Sequence, residues 1–215
     1  MSIRIKRLID LLAAGGGLLV LSPLLLAVMA TVRWRLGSPV IYRAERIGHR
    51  GRVFTLFKLR SMTDERDERG RLLPDERRLT PLGKWLRDSS LDELPSLVNV
   101  LRGEMSLVGP RPFSSLYADR YTPEQNRRHD VLPGITGWSQ VNGRNNLPWE
   151  EKFALDLWYI DHWSLALDMR ILARTARQVL SRRDVNTDGH VTSPEFTGTP
   201  AVDDGSDGRR GEALR

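Results

Sequence analysis

The chain has 215 residues, enough for one modest domain with a core and a tail and too few for a string of modules. A net charge of +6 and a pI near 10.1 point to a polyanionic partner: nucleic acid, an anionic membrane surface or phosphorylated substrates. Cysteine is absent, which excludes a disulfide framework and a thiolate zinc site and fits a reducing compartment.

From Leu11 to Val32 there is no charged residue and almost every side chain is apolar. As a continuous helix this run measures roughly 33 Å, about one hydrocarbon core. A signal peptide has a shorter apolar stretch and a small-residue cleavage site, whereas this one runs on into Trp34 and is expected to be retained. Two features complicate a simple span. Ser22-Pro23 lies in the middle, where proline removes a helix hydrogen bond and crowds the preceding turn. Basic residues also flank both ends, Arg4, Lys6 and Arg7 before and Arg33 and Arg35 after, and such residues prefer the cytoplasmic face. A helix that enters, breaks at Ser22-Pro23 and returns satisfies both clusters; a kinked span is the alternative, and these features leave the two open. The Ser22 hydroxyl is suited to satisfy a carbonyl freed by the proline. Gly15-Gly16-Gly17 reads as a helix-packing patch, since no G-x-G-x-x-G follows it.

After Gly37-Ser38-Pro39, two β-rich runs, Val40 to Arg46 and Arg52 to Phe57, flank Gly48-His49-Arg50-Gly51 and predict a hairpin. Residues 64–78 are dense in charge and read as a solvated loop. Thr80-Pro81 supplies an N-cap and a proline at the first helical position, starting a helix through Arg87. A further helix is expected from Leu94 to Leu101, stopping at Gly103. Gly109-Pro110-Arg111-Pro112 is rigid loop, a polar helix is expected between Pro123 and Asp130, and Pro133 to Gly137 is loop again. Met169, Leu172, Ala176 and Val179 repeat at helical spacing and predict a helix from Leu167 to Ser181. Its Arg170, Arg174 and Arg177, with Arg182 and Arg183, suit lipid headgroups or a solvated basic face. Beyond Phe196 the composition predicts a disordered tail.

The chemistry concentrates at Ser89-Ser90-Leu91-Asp92-Glu93-Leu94-Pro95. Ser90 and Glu93 match a capping box, but Pro95 prefers the first turn, which suggests a helix beginning just before it. Either register sets two carboxylates at a helix start, where amides and the dipole stabilise negative charge. That favours the ionised Asp92 that a carboxylate nucleophile requires. Adjacent acids also suit magnesium, which takes hard oxygen ligands and bridges to substrate phosphates. Acidic residues decorate many helix starts, so the nearby cations strengthen the functional reading. Lys58 and Arg60 alternate at a strand end and face one side, Arg87 lies just before the acids, and Arg111 stands between two prolines. Together they suit a diphosphate.

These residues sit in strings that resemble the small monotopic phosphoglycosyl transferases, bacterial sugar transferases that load a sugar phosphate onto a polyprenyl phosphate. The strings are Phe57-Lys58-Leu59-Arg60-Ser61-Met62, Arg87 followed by Ser90 to Pro95, Asn99 to Pro112, Pro133 to Trp138, and Gln140 to Arg144. The resemblance covers residues 3–198. It implies a mixed α/β, mainly helical fold: a re-entrant membrane helix hairpin over 1–36 hinged at Ser22 and Pro23, a small cytoplasmic catalytic domain over 37–198 that includes a β-hairpin, and a disordered tail over 199–215. Larger relatives carry a further N-terminal membrane domain, and none is expected here. The implied activity transfers a phospho-sugar from a UDP-sugar to undecaprenyl phosphate, releasing UMP, at the bacterial inner membrane. Asp92 matches the nucleophile that becomes phospho-glycosylated, Glu93 the acid that binds Mg2+, and Lys58, Arg87 and Arg111 positions near the substrate phosphates. Arg60 and Arg144 match motif positions expected in substrate binding. Relatives commonly carry Gln where this chain has Ala44, and the segment Phe113-Ser114-Ser115 is less typical of the family.

One pattern points elsewhere. Asp184 to Glu195 fits an EF-hand calcium loop at several positions, but Pro194 and the segment after it cannot continue the exiting helix, and calcium binding is not expected. His49, His129, His162 and His190 lack metal spacing and read as surface or structural. A membrane-tethered basic scaffold, or a nucleic-acid binder, would explain the charge. No nucleic-acid motif supports the second, and the first has no use for the acid pair; nucleic acid is not expected as a partner, and a homodimer is left open.

Overall fold

The computed structural model describes residues 2–143, 147–181 and 195–198. Ser2–Leu36 is one α-helix, α1, with Pro23 inside it. The expected break into two helices at Ser22-Pro23 does not occur. Proline at 23 cannot donate to the Leu19 carbonyl one turn back, and Ser22 Oγ donates to that carbonyl instead, at 2.8 Å. The polar compensation expected of Ser22 is present, and it carries the helix through the proline.

α1 is also part of the core. Ala14 is fully buried among Phe54, Leu56, Val100 and Met105, and Val28 and Val32 are buried with Leu59 and Leu86. The other side of the helix leaves Leu12, Leu19, Val20 and Leu26 largely exposed. Gly15 and Gly17 approach Leu101 and Leu97, so the glycine patch does serve helix packing.

The hairpin forms as expected, two residues longer at its end: β1 (Ile41–Ile47) pairs antiparallel with β2 (Val53–Leu59), in register Tyr42 to Lys58 and Ala44 to Leu56. Residues directly opposite share a face. Tyr42, Ala44 and Arg46 therefore lie with Lys58, Leu56 and Phe54, and Ala44 is a buried residue of that inward face. The charge-rich loop is mostly exposed and holds a short helix, α2 (Asp75–Arg78). α3 (Pro81–Asp88) starts on the Thr80 cap, whose side chain accepts from the Gly83 amide. The expected Leu94–Leu101 helix is split into a 3₁₀ stretch, Leu91–Ser96, and α4 (Leu97–Arg102). Gly103 ends α4 at φ 82°, where a left-handed residue closes a helix.

A second small sheet, without a sequence signal, pairs β3 (Ser106–Val108) parallel with β4 (Gly134–Thr136). Between them the predicted polar helix is shortened to α5 (Pro123–Asn126), followed by a 3₁₀ turn that buries His129 as a structural residue. α6 (Trp138–Asn142) leads to α7 (Trp149–Asp161), which sequence periodicity misses, because its buried positions Lys152, Phe153, Asp156 and Tyr159 mix charge with aromatics. α8 (Leu165–Ser181) matches its prediction within two residues. The whole is mixed α/β and mainly helical. Arg144, the residues 182–194 and the tail 199–215 lie outside the described residues. Of the calcium-like loop only Glu195 is described, and it pairs with Arg120 at 2.8 Å. Phe196 beside it is buried among Tyr117, Tyr121, Trp149 and Phe153.

Lys6, read as one of a basic cluster, has a specific partner. Its ammonium donates to Asp168 at 2.6 Å and to the Val108 carbonyl at 3.0 Å, and Tyr159 and Trp163 donate to the same carboxylate. Asp168 is almost fully buried. Removing only one partner strands a buried charge, at a cost of about 3–5 kcal/mol. Lys6→Met should therefore destabilise by about 3 kcal/mol, and adding Asp168→Asn should recover part of it; thermal melts of the double-mutant cycle in detergent would expose additive losses as a refutation.

Candidate active site

The acid pair is placed by close contact between α3 and the strand exit. A side chain at Gly83 would meet the Ser61 carbonyl at 1.7 Å, so only glycine lets α3 lie against this segment. Arg87, one turn on, then donates from Nε to Ser61 Oγ at 3.0 Å. The chain reverses through Ser90, a left-handed residue at φ 57°, and enters the 3₁₀ stretch that carries Asp92 and Glu93. The expected Ser90–Glu93 capping box is not formed: Ser90 makes no side-chain cap bond. With Pro95 inside the turn and unable to donate, regular α-helix begins only at Leu97. Burial and neighbouring charges, rather than a long helix dipole, therefore govern the charge of these acids.

Asn99 locks this arrangement. Fully buried on α4, it donates to the Thr55 carbonyl at 2.7 Å and to Glu104 at 2.6 Å, and accepts from the Phe57 amide at 3.1 Å. The end of β2, with Lys58, is thereby fixed against the acid-bearing turn. Sequence reading gives Asn99 no role; a lone amide in an otherwise apolar helical stretch is its signal.

Lys58, Arg60, Arg87, Asp92, Glu93 and Arg111 all line one cavity of about 610 Å³. Glu93 Oε1 accepts from Lys58 Nζ at 2.6 Å and from Arg111 at 2.9 Å. Asp92, only 7% exposed, takes no part in these ion pairs. Burial first, and then the Glu93 charge, push Asp92 up to about 6, against the pull of Lys58, Arg87 and Arg111. Burial opposes ionisation of Glu93 too, but Arg111 and Lys58 overcome it and hold that carboxyl well below the usual range. At neutral pH the site presents a fully neutralised Glu93 beside an ionised, weakly partnered Asp92. Arg60 reaches the same cavity but is tied to the Ser38 and Met62 carbonyls and to Asp64, so it shapes the rim.

Arg111 is held from behind by a network that no motif marks. Buried Arg128 donates to the Arg111 carbonyl and to Asp156, each at 2.7 Å, and Asp156 accepts from Ser139 at 2.8 Å. The Arg128 guanidinium lies 4.0 Å over the Phe113 ring. Both bonds leave from Arg128 Nη2, so this one nitrogen ties the Arg111 carbonyl to Asp156.

The signature of the bacterial sugar transferase family matches residues 1–182 of this chain. The chain belongs to that family. It is 53% identical over 198 residues to EpsL of Bacillus subtilis, named an uncharacterized sugar transferase, covering 92% of this transferase and 98% of that protein. Its identity with the UDP-glucose:undecaprenyl-phosphate glucose-1-phosphate transferase of Xanthomonas campestris is 43% over 190 residues, 83% of this chain but only 39% of that longer protein. ExoY of Rhizobium meliloti, an exopolysaccharide production protein, is 38% identical over 195 residues, 83% of this chain and 86% of its own length. The sugar transferase therefore matches nearly the whole length of some relatives and about two fifths of others.

A buried acid whose pKa is raised binds its proton more tightly folded than unfolded. The cost of burying its anion is present above about pH 6 and disappears as pH falls towards the unfolded value near 4. Asp92→Asn removes that cost, about 2–3 kcal/mol at neutral pH for a shift of this size. The variant should melt several degrees above the parent at pH 7.5, with the gain shrinking towards pH 4.5. A pH-independent difference across a melting series would contradict this assignment.

Proposed function

We propose that this sugar transferase moves a sugar phosphate from a nucleoside diphosphate sugar, a UDP-sugar, to a polyprenyl phosphate such as undecaprenyl phosphate, with Asp92 as nucleophile. The observation that carries it is the division of labour between the two acids. Glu93 takes the cations, and Asp92 is left ionised, desolvated and facing the cavity. Desolvation and a raised pKa both make a carboxylate more nucleophilic than it is in water. The names of the Xanthomonas protein and of the undecaprenyl-phosphate galactose phosphotransferase of Salmonella typhimurium support the acceptor, and the first also supports a UDP-sugar donor.

In the first half-reaction an Asp92 oxygen attacks the sugar-bearing phosphorus. The bond to the bridging oxygen breaks and UMP leaves with the electron pair. Lys58, Arg87 and Arg111 balance the charge that gathers on the departing phosphate. In the second, an oxygen of the polyprenyl phosphate attacks the same phosphorus, Asp92 is released as the carboxylate, and a polyprenyl-diphosphate-sugar forms. No proton transfer is needed in either step, which suits a site whose described lining contains no histidine.

Mg2+ is the cofactor the chemistry of this donor set fits. Magnesium is commonly held by one or two carboxylates together with substrate phosphates. Glu93 engages both cations through Oε1 alone, which leaves Oε2 for a metal ligand bond. When bound, the ion supplies charge neutralisation to the diphosphate.

We also propose that the enzyme is monotopic, with its catalytic domain on the cytoplasmic side of the bacterial inner membrane. α1 touches the same domain towards both ends: Lys6 and Asp10 reach Val108, Asp168 and Leu107, and Val32 packs with Leu59 and Leu86. Asp10 and Val32 are roughly 33 Å apart along a helix, about one hydrocarbon core. A transbilayer course would pull one of these contact sets off the domain, so the packing supports both ends lying on one side. The exposed apolar side of α1 then meets lipid, and the basic residues at both ends stay with the cytoplasmic headgroups.

Incubation of the protein with a UDP-sugar alone should leave a phospho-sugar adduct visible by intact mass, with yield falling below about pH 6. Asp92→Asn should show none, and a turnover-competent Asp92→Asn enzyme would falsify the nucleophile assignment. For topology, single cysteines at Ser2 and Gly37 should escape an impermeant thiol reagent in intact cells and both react after permeabilisation. Surface labelling at Ser2 but not Gly37 would mean a spanning helix.

A further inference from the structure

One large apolar side chain in the polar C-terminal segment is fully inside the protein. Phe196 is 1% exposed, although its neighbours in sequence are Glu, Thr, Gly and Pro. A ring of this size leaves water wherever a pocket accepts it. The pocket here is made of other rings. Tyr121 stacks on Phe196 at 5.7 Å, Phe153 and Tyr117 meet it edge-on at 5.1 and 5.9 Å, and Trp149 is tilted against it at 5.2 Å. Edge-on and stacked pairs at these separations are mutually attractive. Arg120, the last residue of the 3₁₀ turn Ser115–Arg120, fixes the backbone alongside. Its Nη1 donates to the Glu195 carboxylate at 2.8 Å and also to the Phe196 carbonyl, and its guanidinium lies 5.2 Å from the Tyr117 ring centroid. One arginine thus holds the segment down and covers a ring that receives Phe196.

The rings that Phe196 touches belong to the catalytic cavity. Tyr117 and Trp149 line it and Phe196 does not, so Phe196 backs them from behind. Trp149 stands edge-on to Phe113 at 4.8 Å and to Tyr117 at 5.8 Å. Phe113 lines the cavity too and follows Arg111, a partner of Glu93, by two residues. Phe113, Tyr117 and Trp149 come from a loop, a 3₁₀ turn and the start of α7, and ring contacts join them into one aromatic wall. α1, whose outer side meets lipid on the proposal above, packs on a different set of residues: Leu59, Leu86, Val100 and Met105. An aromatic surface in a cavity suits the flat face of a nucleobase or the apolar face of a sugar ring. Both belong to the water-soluble donor.

We infer that Glu195 and Phe196 form a strap that sets this aromatic wall, and that Phe196 is thereby a positioning residue for a ring of the nucleoside diphosphate sugar. The identity of the ligand rests on the phosphoryl-transfer reading above; the strap rests on the ring contacts and Arg120. Without Phe196, Tyr117 and Trp149 lose the ring they both touch, and the wall has to be ordered again when the donor binds. Ordering on binding weakens affinity. The acid turn is tied separately, through Asn99 to the Thr55 carbonyl and the Phe57 amide, so the chemical step keeps its geometry. The strap therefore acts on donor binding and not on phosphoryl transfer.

The test uses the full-length enzyme. Phe196→Ala should raise KM for UDP-sugar about fivefold or more, with kcat and the KM for polyprenyl phosphate nearly unchanged. Arg120→Met, which removes both bonds to the strap, should act in the same direction, and Phe196→Leu should recover part of the loss. Hydrogen exchange followed by mass spectrometry should quicken over residues 113–121 and 149–156 in Phe196→Ala and stay as it is over residues 91–102. Calorimetry on Asp92→Asn protein, with UMP and with UDP-sugar, reads donor binding without turnover and tells the two rings apart. If adding Phe196→Ala weakens both ligands, the wall holds the nucleoside; if it weakens UDP-sugar alone, the wall holds the sugar. Unchanged affinity for both overturns the positioning role, as does an effect confined to kcat or to polyprenyl phosphate. Unchanged exchange over 113–121 and 149–156 overturns the strap even in an enzyme that forms the Asp92 adduct. Faster exchange there supports the strap even where no UDP-sugar is ever processed. Should Phe196→Ala fail to fold, Arg120→Met and Phe196→Leu decide between the same outcomes.

Discussion

Two carboxylates side by side in a buried turn cannot both command the same cations, and much of the site follows from how that competition is settled. Glu93 wins it. Its one oxygen draws Lys58 from the end of β2 and Arg111 from the loop after β3, so three segments distant in sequence are tied at a single atom. Asp92 inherits what is left: burial, a like charge next door and only distant compensation. A symmetrical sharing would have left both acids weakly basic and neither reactive. The asymmetric one leaves Asp92 ionised at neutral pH yet poorly stabilised, which is the condition that its proposed role as nucleophile requires.

Holding such a state needs rigid backing, and the protein supplies it with buried polar ties as well as with apolar mass. Asn99 joins the acid turn to the hairpin, Arg128 and Asp156 brace the Arg111 carbonyl, and Lys6 with Asp168 clamps the start of α1 to α7 and α8. Each is a group whose desolvation would be expensive if its partner moved. Moving any of them would leave a buried polar group unpaired, which apolar contacts do not risk. The apolar clusters give the fold its stability, and these directional bonds set the distances at its active end.

What is legible in the sequence divides along the same line. The hairpin, α3 with its Thr80 cap, the Gly103 stop and α8 follow from local rules, because periodicity, caps and left-handed glycine act within one turn. The acid pair and Lys58, Arg87 and Arg111 stand out as residue types in a pattern, and the structure brings those five together. The failures come where tertiary partners override local preference. α7 hides its period because two of its buried positions are charged: Asp156 is bonded by Arg128 and Ser139, and Lys152 lies against the Trp149 ring. The Ser90–Glu93 capping box loses to Glu93's cations, and the helix break at Pro23 is averted by a hydroxyl one residue away. The parallel β3–β4 pairing joins strands of three residues each, too short for any period to register.

α1 connects all of these features, since it is at once the most membrane-like segment and a wall of the catalytic core. Val28 and Val32 pack on Leu59 and Leu86, the residues next to Lys58 and Arg87, while Ala14 packs with Val100 and Met105 beside the Asn99 tie. The side of α1 facing away from these contacts is apolar and exposed. A helix built this way cannot be drawn deeper into lipid or lifted out of it without disturbing the residues that position Lys58, Arg87 and Asn99. The depth of the helix and the geometry of the cavity are therefore one mechanical variable. On the transfer proposed above, which brings a water-soluble phosphate ester and a lipid-bound one to Asp92, that coupling would set the site at the height where both can reach it.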